Sequence, residues 1–179
     1  MMKKILGGLV CLLLFFNTYS QKLLNTRTCA INFTASGGAE KIAAINNEVD
    51  CKLVDNSGQL VFTLLIKGFR FENQLMEDHF NENYMESTKY PKALFKGYIT
   101  NITRINFSKD GTYEAEAEGT LTIHGVVQKV KTMGTITVAG GNVTLKSNFK
   151  VKLKDYKISG SYIGDKIAPE ASIAVNCKF

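Results

Sequence analysis

From Tyr113 to His124 the chain alternates without a break. Tyr113, Ala115, Ala117, Gly119, Leu121 and Ile123 fall on one side, and Glu114, Glu116, Glu118, Thr120, Thr122 and His124 on the other. Successive side chains of an extended strand point to opposite faces, so this period predicts a strand with one buried and one wet face. A helix would scatter the three glutamates around its whole circumference.

The same period recurs along the chain. In Asn142 to Leu153, Val143, Leu145, Phe149, Val151 and Leu153 alternate with polar residues. In Ala171 to Phe179, Ile173, Val175, Cys177 and Phe179 do so, and in Thr28 to Ser36, Cys29, Ile31, Phe33 and Ala35. Gln59 to Ile66 is more apolar and reads as a better-covered strand, and Ala93 to Thr100 and Val126 to Val138 are further strands. Lys41 to Ile45 and Val49 to Val54 are two weaker ones. Gly37-Gly38, Asn56-Ser57-Gly58, Lys109-Asp110-Gly111 and Gly140-Gly141 punctuate them as turns. Neighbouring strands joined so tightly are antiparallel. About eight of them, each wet on one face, predict a single all-β domain, a barrel or a sandwich.

One segment departs from the pattern. Leu75 to Met85 sets Leu75, Met76, His79, Phe80 and Tyr84 on one helical face, with Glu77, Asp78, Asn81 and Glu82 on the other. This short amphipathic helix ends before Tyr90-Pro91, where proline biases its predecessor toward extended backbone. Its apolar face is expected to pack on the barrel or cover one end.

The first twenty residues read as a signal peptide rather than as fold. Met1-Met2-Lys3-Lys4 is a basic start, Ile5 to Phe16 an apolar run, and Thr18 and Ser20 small residues before a cleavage expected ahead of Gln21. The run is shorter than the ~20 residues of a membrane span. The mature protein, 21–179, is therefore expected to carry no integral membrane helix and to be periplasmic or secreted. The net charge of +6 for the whole chain includes Lys3 and Lys4, and the remaining basic residues are scattered singly along strands. That distribution predicts a solvated surface and no nucleic-acid partner. Asn32, Asn101, Asn106 and Asn142 open glycosylation-type triplets, read as ordinary wet-face residues.

The run Gly68-Phe69-Arg70-Phe71-Glu72-Asn73-Gln74-Leu75-Met76-Glu77-Asp78-His79-Phe80-Asn81-Glu82-Asn83-Tyr84-Met85-Glu86-Ser87, followed by Lys89-Tyr90-Pro91-Lys92-Ala93-Leu94-Phe95-Lys96-Gly97, resembles the YceI-like family of exported bacterial proteins. Gly119-Thr120-Leu121-Thr122-Ile123-His124-Gly125-Val126 resembles the family's second hallmark, in the expected order and spacing. The likeness spans nearly all of Gln21 to Phe179, and the compact Gly68 to Ser87 resembles the family's shorter branch. The resemblance implies a lipocalin-like, eight-stranded antiparallel barrel with no required cofactor. It also implies a hydrophobic small-molecule partner, an isoprenoid lipid or quinone held by its apolar chain. By alternation Phe33, Phe62, Leu64, Ile66, Phe95, Leu121, Ile123 and Phe149 are candidates for the lining. Phe69, Phe71, Leu75, Met76, Phe80 and Tyr84 are candidates for the mouth or its covering helix. The same apolar alternation would also serve a ligand-free structural barrel whose interior is filled by side chains.

No catalytic arrangement is expected. Ser, His and Asp occur without a Gly-x-Ser-x-Gly motif. His79 is expected to donate a hydrogen bond to the barrel rim and His124 to stabilise a turn. The cysteines lack zinc-ligand spacing. In a closed barrel the first strand meets the last, so Cys29 and Cys177 are expected to be neighbours across the closing seam, bridged or as separate thiols, with Cys51 unpaired. The oligomeric state is left open.

Overall fold

A computed structural model describes residues 21–38 and 41–179; the signal peptide assigned to 1–20 lies outside the described residues. The strands are β1 (Leu23–Ser36), β2 (Ala43–Val54), β3 (Gln59–Leu65), β4 (Arg70–Phe71), β5 (Lys92–Ile99), β6 (Gly111–Ile123), β7 (Val126–Ala139), β8 (Asn142–Lys152) and β9 (Ile167–Lys178). The order β1-β9-β8-β7-β6-β5-β3-β2, with β2 returning to β1, closes an eight-stranded antiparallel barrel. The two-residue β4 lies against β2 at Ala44 and Ile45, outside that circuit.

Two hairpins explain the tightest connections. His124 and Gly125 join β6 to β7 with φ of 51° and 71°, and Gly140 and Gly141 join β7 to β8 with φ of 54° and 81°. Two positive-φ residues in succession match the right-handed twist of the flanking strands. Where β5 and β6 cross most closely, Gly97 faces Gly119. A Cβ on Gly97 would lie 2.2 Å from the Glu118 carbonyl, and one on Gly119 2.3 Å from that of Lys96.

The weak segments read as two strands are one, β2. The pattern breaks at Asn46-Asn47-Glu48 because β1 and β2 shift register between Cys29 and Ile31. Asn46 is wholly buried there, donating to the Leu65 carbonyl at 3.0 Å and accepting the Glu48 amide at 2.9 Å. A satisfied buried amide thus stands where periodicity wants an apolar residue. The first strand also begins earlier than its periodicity shows, at Leu23.

The helical segment is α1 (Gln74–His79) running into a wider turn at Phe80–Tyr84. Asn73 caps it, its side-chain oxygen accepting the amides of Leu75 at 2.8 Å and Met76 at 3.4 Å. Outside the barrel, Lys146, Asn148, Lys150 and Lys152 of β8 are exposed. A lipid-embedded barrel has the opposite arrangement, apolar outside and polar within.

Candidate functional site

The barrel encloses a cavity of about 460 Å³, within the ~300–1,000 Å³ typical of small-molecule sites. Its interior is therefore not filled by side chains. Phe62 and Leu64 of β3, Phe95 of β5, Leu121 and Ile123 of β6 and Phe149 of β8 all line it, as does Ile66 just after β3. Phe33, Phe69, Phe71, Leu75, Met76, Phe80 and Tyr84 line it as well. The alternation missed Val130 and Thr132 of β7 and Tyr162 and Lys166 of the β8–β9 loop, which also contribute. The β7 residues carried a visible period, whereas the loop residues carried none.

The lining ends at one layer. It includes Ile31 of β1, Ala117 of β6, Thr132 of β7 and Val175 of β9. Further along the same strands Cys29, Ala115, Ile136 and Cys177 are packed in the core. That layer is the floor. The opposite end is the mouth, because lining residues are exposed only there: Leu75 of α1 is 61% exposed and Tyr162 is 49% exposed. Burial, and then the neighbouring Tyr162, push the Tyr84 phenol up from its ordinary pKa.

A phenylalanine cluster fixes α1 at this mouth. The Phe80 ring stacks on Phe33 at 5.3 Å and meets Phe69 and Phe71 at 5.7 and 5.1 Å. Phe33 meets Phe69 edge-on at 5.3 Å. Four rings, from β1, from β4 and the residue just before it, and from the turn after α1, thus share one aromatic cluster.

The polar residues of the helix differ from expectation. His79 is exposed and lines the mouth, with no hydrogen bond to the rim among those of the described residues. Glu77 is not on a freely solvated face. Its side chain is 14% exposed, pairs with Arg70 at 3.0 Å and accepts the Phe71 amide at 3.2 Å. This ties β4 to α1 beside the aromatic cluster.

The two sequence hallmarks meet in space. The rings of Tyr90 and His124 lie 4.6 Å apart, edge to face. A Cβ on Gly125 would lie 2.6 Å from the Tyr90 ring. His124 does stabilise its turn, through partners that periodicity could not reveal. Nε2 donates to Glu86 at 2.8 Å, and Nδ1 lies 3.2 Å from the Tyr156 carbonyl oxygen. Both ring nitrogens thus face acceptor oxygens of the protein itself.

Cys29 and Cys177 are joined by a disulfide across the β1–β9 seam. Cys51, buried and unpaired, lies beside them, all three sulfurs falling within 4.8 Å of one another. Burial raises the Cys51 thiol far above its ordinary range, which keeps it protonated and unreactive.

A family model for the YceI-like domain matches residues 23–179. No curated protein sequence matches the chain. Among solved structures, a polyisoprenoid binding domain from Saccharophagus degradans implicated in plant cell wall breakdown is similar, with a TM-score of 0.75 and 11% identity over 89% of this chain and 98% of that one. BcnA of Burkholderia cenocepacia gives 0.69 at 14% identity, over 84% of this chain and 96% of that one. The Campylobacter jejuni YCEI protein gives 0.56 at 19% identity, over 100% and 98%. At these identities the likeness establishes the fold alone.

Proposed function

The chain belongs to the YceI-like family, and from that premise we propose that it is an exported carrier of a hydrophobic small molecule held by an isoprenoid-like chain. The observation that carries this reading is the cavity of about 460 Å³, walled by aliphatic and aromatic side chains and reached past exposed Leu75. Each Å² of ligand hydrocarbon removed from water there contributes roughly 25 cal/mol. The polyisoprenoid binding domain of Saccharophagus degradans supports the class of ligand through its shared fold. Export is supported by the basic-then-apolar first twenty residues and by the Cys29–Cys177 disulfide, a bond that persists in oxidising compartments. The role is binding rather than chemistry, and no cofactor is required for it.

Native mass spectrometry of the protein purified from its own host tests this reading. A co-purifying hydrophobic mass that disappears on denaturation is the expected result. Repeated absence of an adduct, with no binding of added isoprenoid alcohols or quinones, would overturn it.

A further inference from the structure

The cavity is a blind tube, and its depth follows from the strands that wall it. Along β6 the lining runs from Ala117 at the floor to Ile123 at the mouth. That stretch of strand, at about 3.3 Å per residue and tilted by roughly 40° to the barrel axis, spans about 15 Å of depth. Phe69, Leu75 and Phe80, which follow β3, continue the apolar wall at the mouth. The floor is shut. Ile31 of β1 and Val175 of β9 are partners in register across the seam, and both line the cavity. Next along the same face of each strand, the Cys29–Cys177 bridge ties β1 to β9, so the two strands cannot part there to pass a chain. Beneath this layer Ile136 is paired with Leu145 and Val138 with Val143, and all four are buried.

A linear isoprenoid grows by one branched five-carbon unit at a time. With four chain bonds of about 1.5 Å, an extended unit is roughly 5 Å long. Packed at the density of a protein interior, it fills roughly 120 Å³. The strand-walled depth therefore holds about three extended units. The whole cavity of about 460 Å³, mouth included, holds about four. Length and volume thus give nearly the same limit. Any further unit is left beyond Leu75 and Tyr162, the exposed members of the lining. For a chain drawn out of a bilayer, each unit stranded in water forfeits its hydrophobic transfer free energy.

We infer that the cavity is a chain-length ruler that accepts isoprenoids of about three to four units and is stopped at its floor by Ile31, Ala117 and Val175. Ala117 is the smallest of these three side chains, so the space at the bottom of the β6 wall exists because a methyl group stands there. A long polyprenyl chain is excluded because most of its length finds no wall to bury against. This rests on the carrier reading and adds the length of the chain and the residues that set it.

The test offers delipidated mature protein a choice of chain lengths. Phosphatidylcholine vesicles carry equal amounts of prenols with three, four and nine isoprene units. The protein is separated from the vesicles and its bound prenols are quantified by mass spectrometry. The wild type is expected to retain the three- and four-unit alcohols and at least about tenfold less of the nine-unit one, because several of its units would stand in water. Ala117→Leu raises the floor and should lower retention of the four-unit alcohol relative to the three-unit one by at least about threefold. Val175→Phe raises it from the opposite wall and should shift the ratio the same way. Ala117→Ser, close in size, should leave it unchanged. The wild-type comparison stands without any variant: nine-unit alcohol retained as well as three-unit would overturn the ruler and leave the carrier reading intact. An unaltered ratio in folded Ala117→Leu or Val175→Phe would overturn the assignment of the floor. Retention of no prenol by the wild type would overturn the carrier reading and the ruler with it.

Discussion

His124 Nε2 donates to Glu86 Oε2 at 2.8 Å, linking the hairpin between β6 and β7 to the segment that follows the helix. The other ring nitrogen faces the Tyr156 carbonyl, so both nitrogens are directed at acceptors. His124→Phe keeps a ring against Tyr90 but loses both, and the His124 side chain is only 10% exposed. The expected loss is about 1.5–3 kcal/mol, the range for hydrogen bonds involving charged groups. Urea unfolding measures it; a loss below about 0.5 kcal/mol would show that the latch contributes nothing to stability.

Glu86 also occupies the left-handed region, with φ of 42°. An L-residue there costs roughly 1–2 kcal/mol relative to a favourable conformation, and glycine escapes the penalty. Glu86→Ala and Glu86→Gly both remove the carboxylate, but only glycine relieves the backbone. Glu86→Gly is therefore expected to be the more stable of the two by about 1 kcal/mol. Equal urea midpoints, or alanine the more stable, would contradict the conformational argument.

Phe80 is the hub of the mouth cluster, touching Phe33, Phe69 and Phe71. Truncating a fully buried ring costs about 3–5 kcal/mol. Phe80 is only partly buried, so Phe80→Ala is expected to cost less, about 2 kcal/mol. A change below about 0.5 kcal/mol would mean that the helix is not anchored by this ring. Faster ligand release with stability unchanged would mark the ring as a gate instead.

Burial, reinforced by the charge on Asp155, pushes the Tyr156 phenol up to about 12 from its ordinary 10.0. The folded state then holds the proton more tightly than the unfolded chain does. The stability this contributes is fully present below about pH 10 and is lost as pH rises toward about 12. Cys51 has the same sign, and its loss begins near its ordinary 9.0. Urea midpoints should therefore fall steadily above pH 9. The fall should be shallower for Tyr156→Phe, which has no phenol to ionise. Parallel slopes for the two proteins would refute the assignment to Tyr156.

The barrel was legible because burial and strand period coincide. In β6, each residue from Tyr113 to Ile123 that alternation turned inward is at least partly buried. The pattern failed where a polar side chain is buried for local reasons. Asn46 satisfies the Leu65 carbonyl at a register shift and so made one strand look like two. Whether the interior is open or filled was not legible, because the same phenylalanines serve both arrangements. The partners of His124 were hidden for another reason: Glu86 is 38 residues away and Tyr156 is 32 residues away. No local period reports such contacts.

The closing seam gives the last prediction. Cys29 on β1 and Cys177 on β9 are bonded across 148 residues of sequence. In the chain-entropy model a loop of that length stabilises the fold by close to 5 kcal/mol, by restricting the unfolded chain. The bridge lies in the core below the cavity floor, with both cysteines fully buried. Cys51 is equally buried, and its raised thiol supplies almost no thiolate for attack on the bond. The pairing should therefore persist through purification without reshuffling. Denatured, unreduced protein should show one free thiol, and native protein none reactive toward iodoacetamide at pH 8. Peptide mapping should place the bridge at Cys29 and Cys177. Three free thiols would remove the bridge, and a bridge to Cys51 would show that exchange does occur. Cys29→Ala/Cys177→Ala should unfold at markedly lower urea concentration, yet keep its affinity for cavity ligands, because neither sulfur lines the cavity. Lost affinity in a variant that is still folded would show that the floor depends on the staple beneath it.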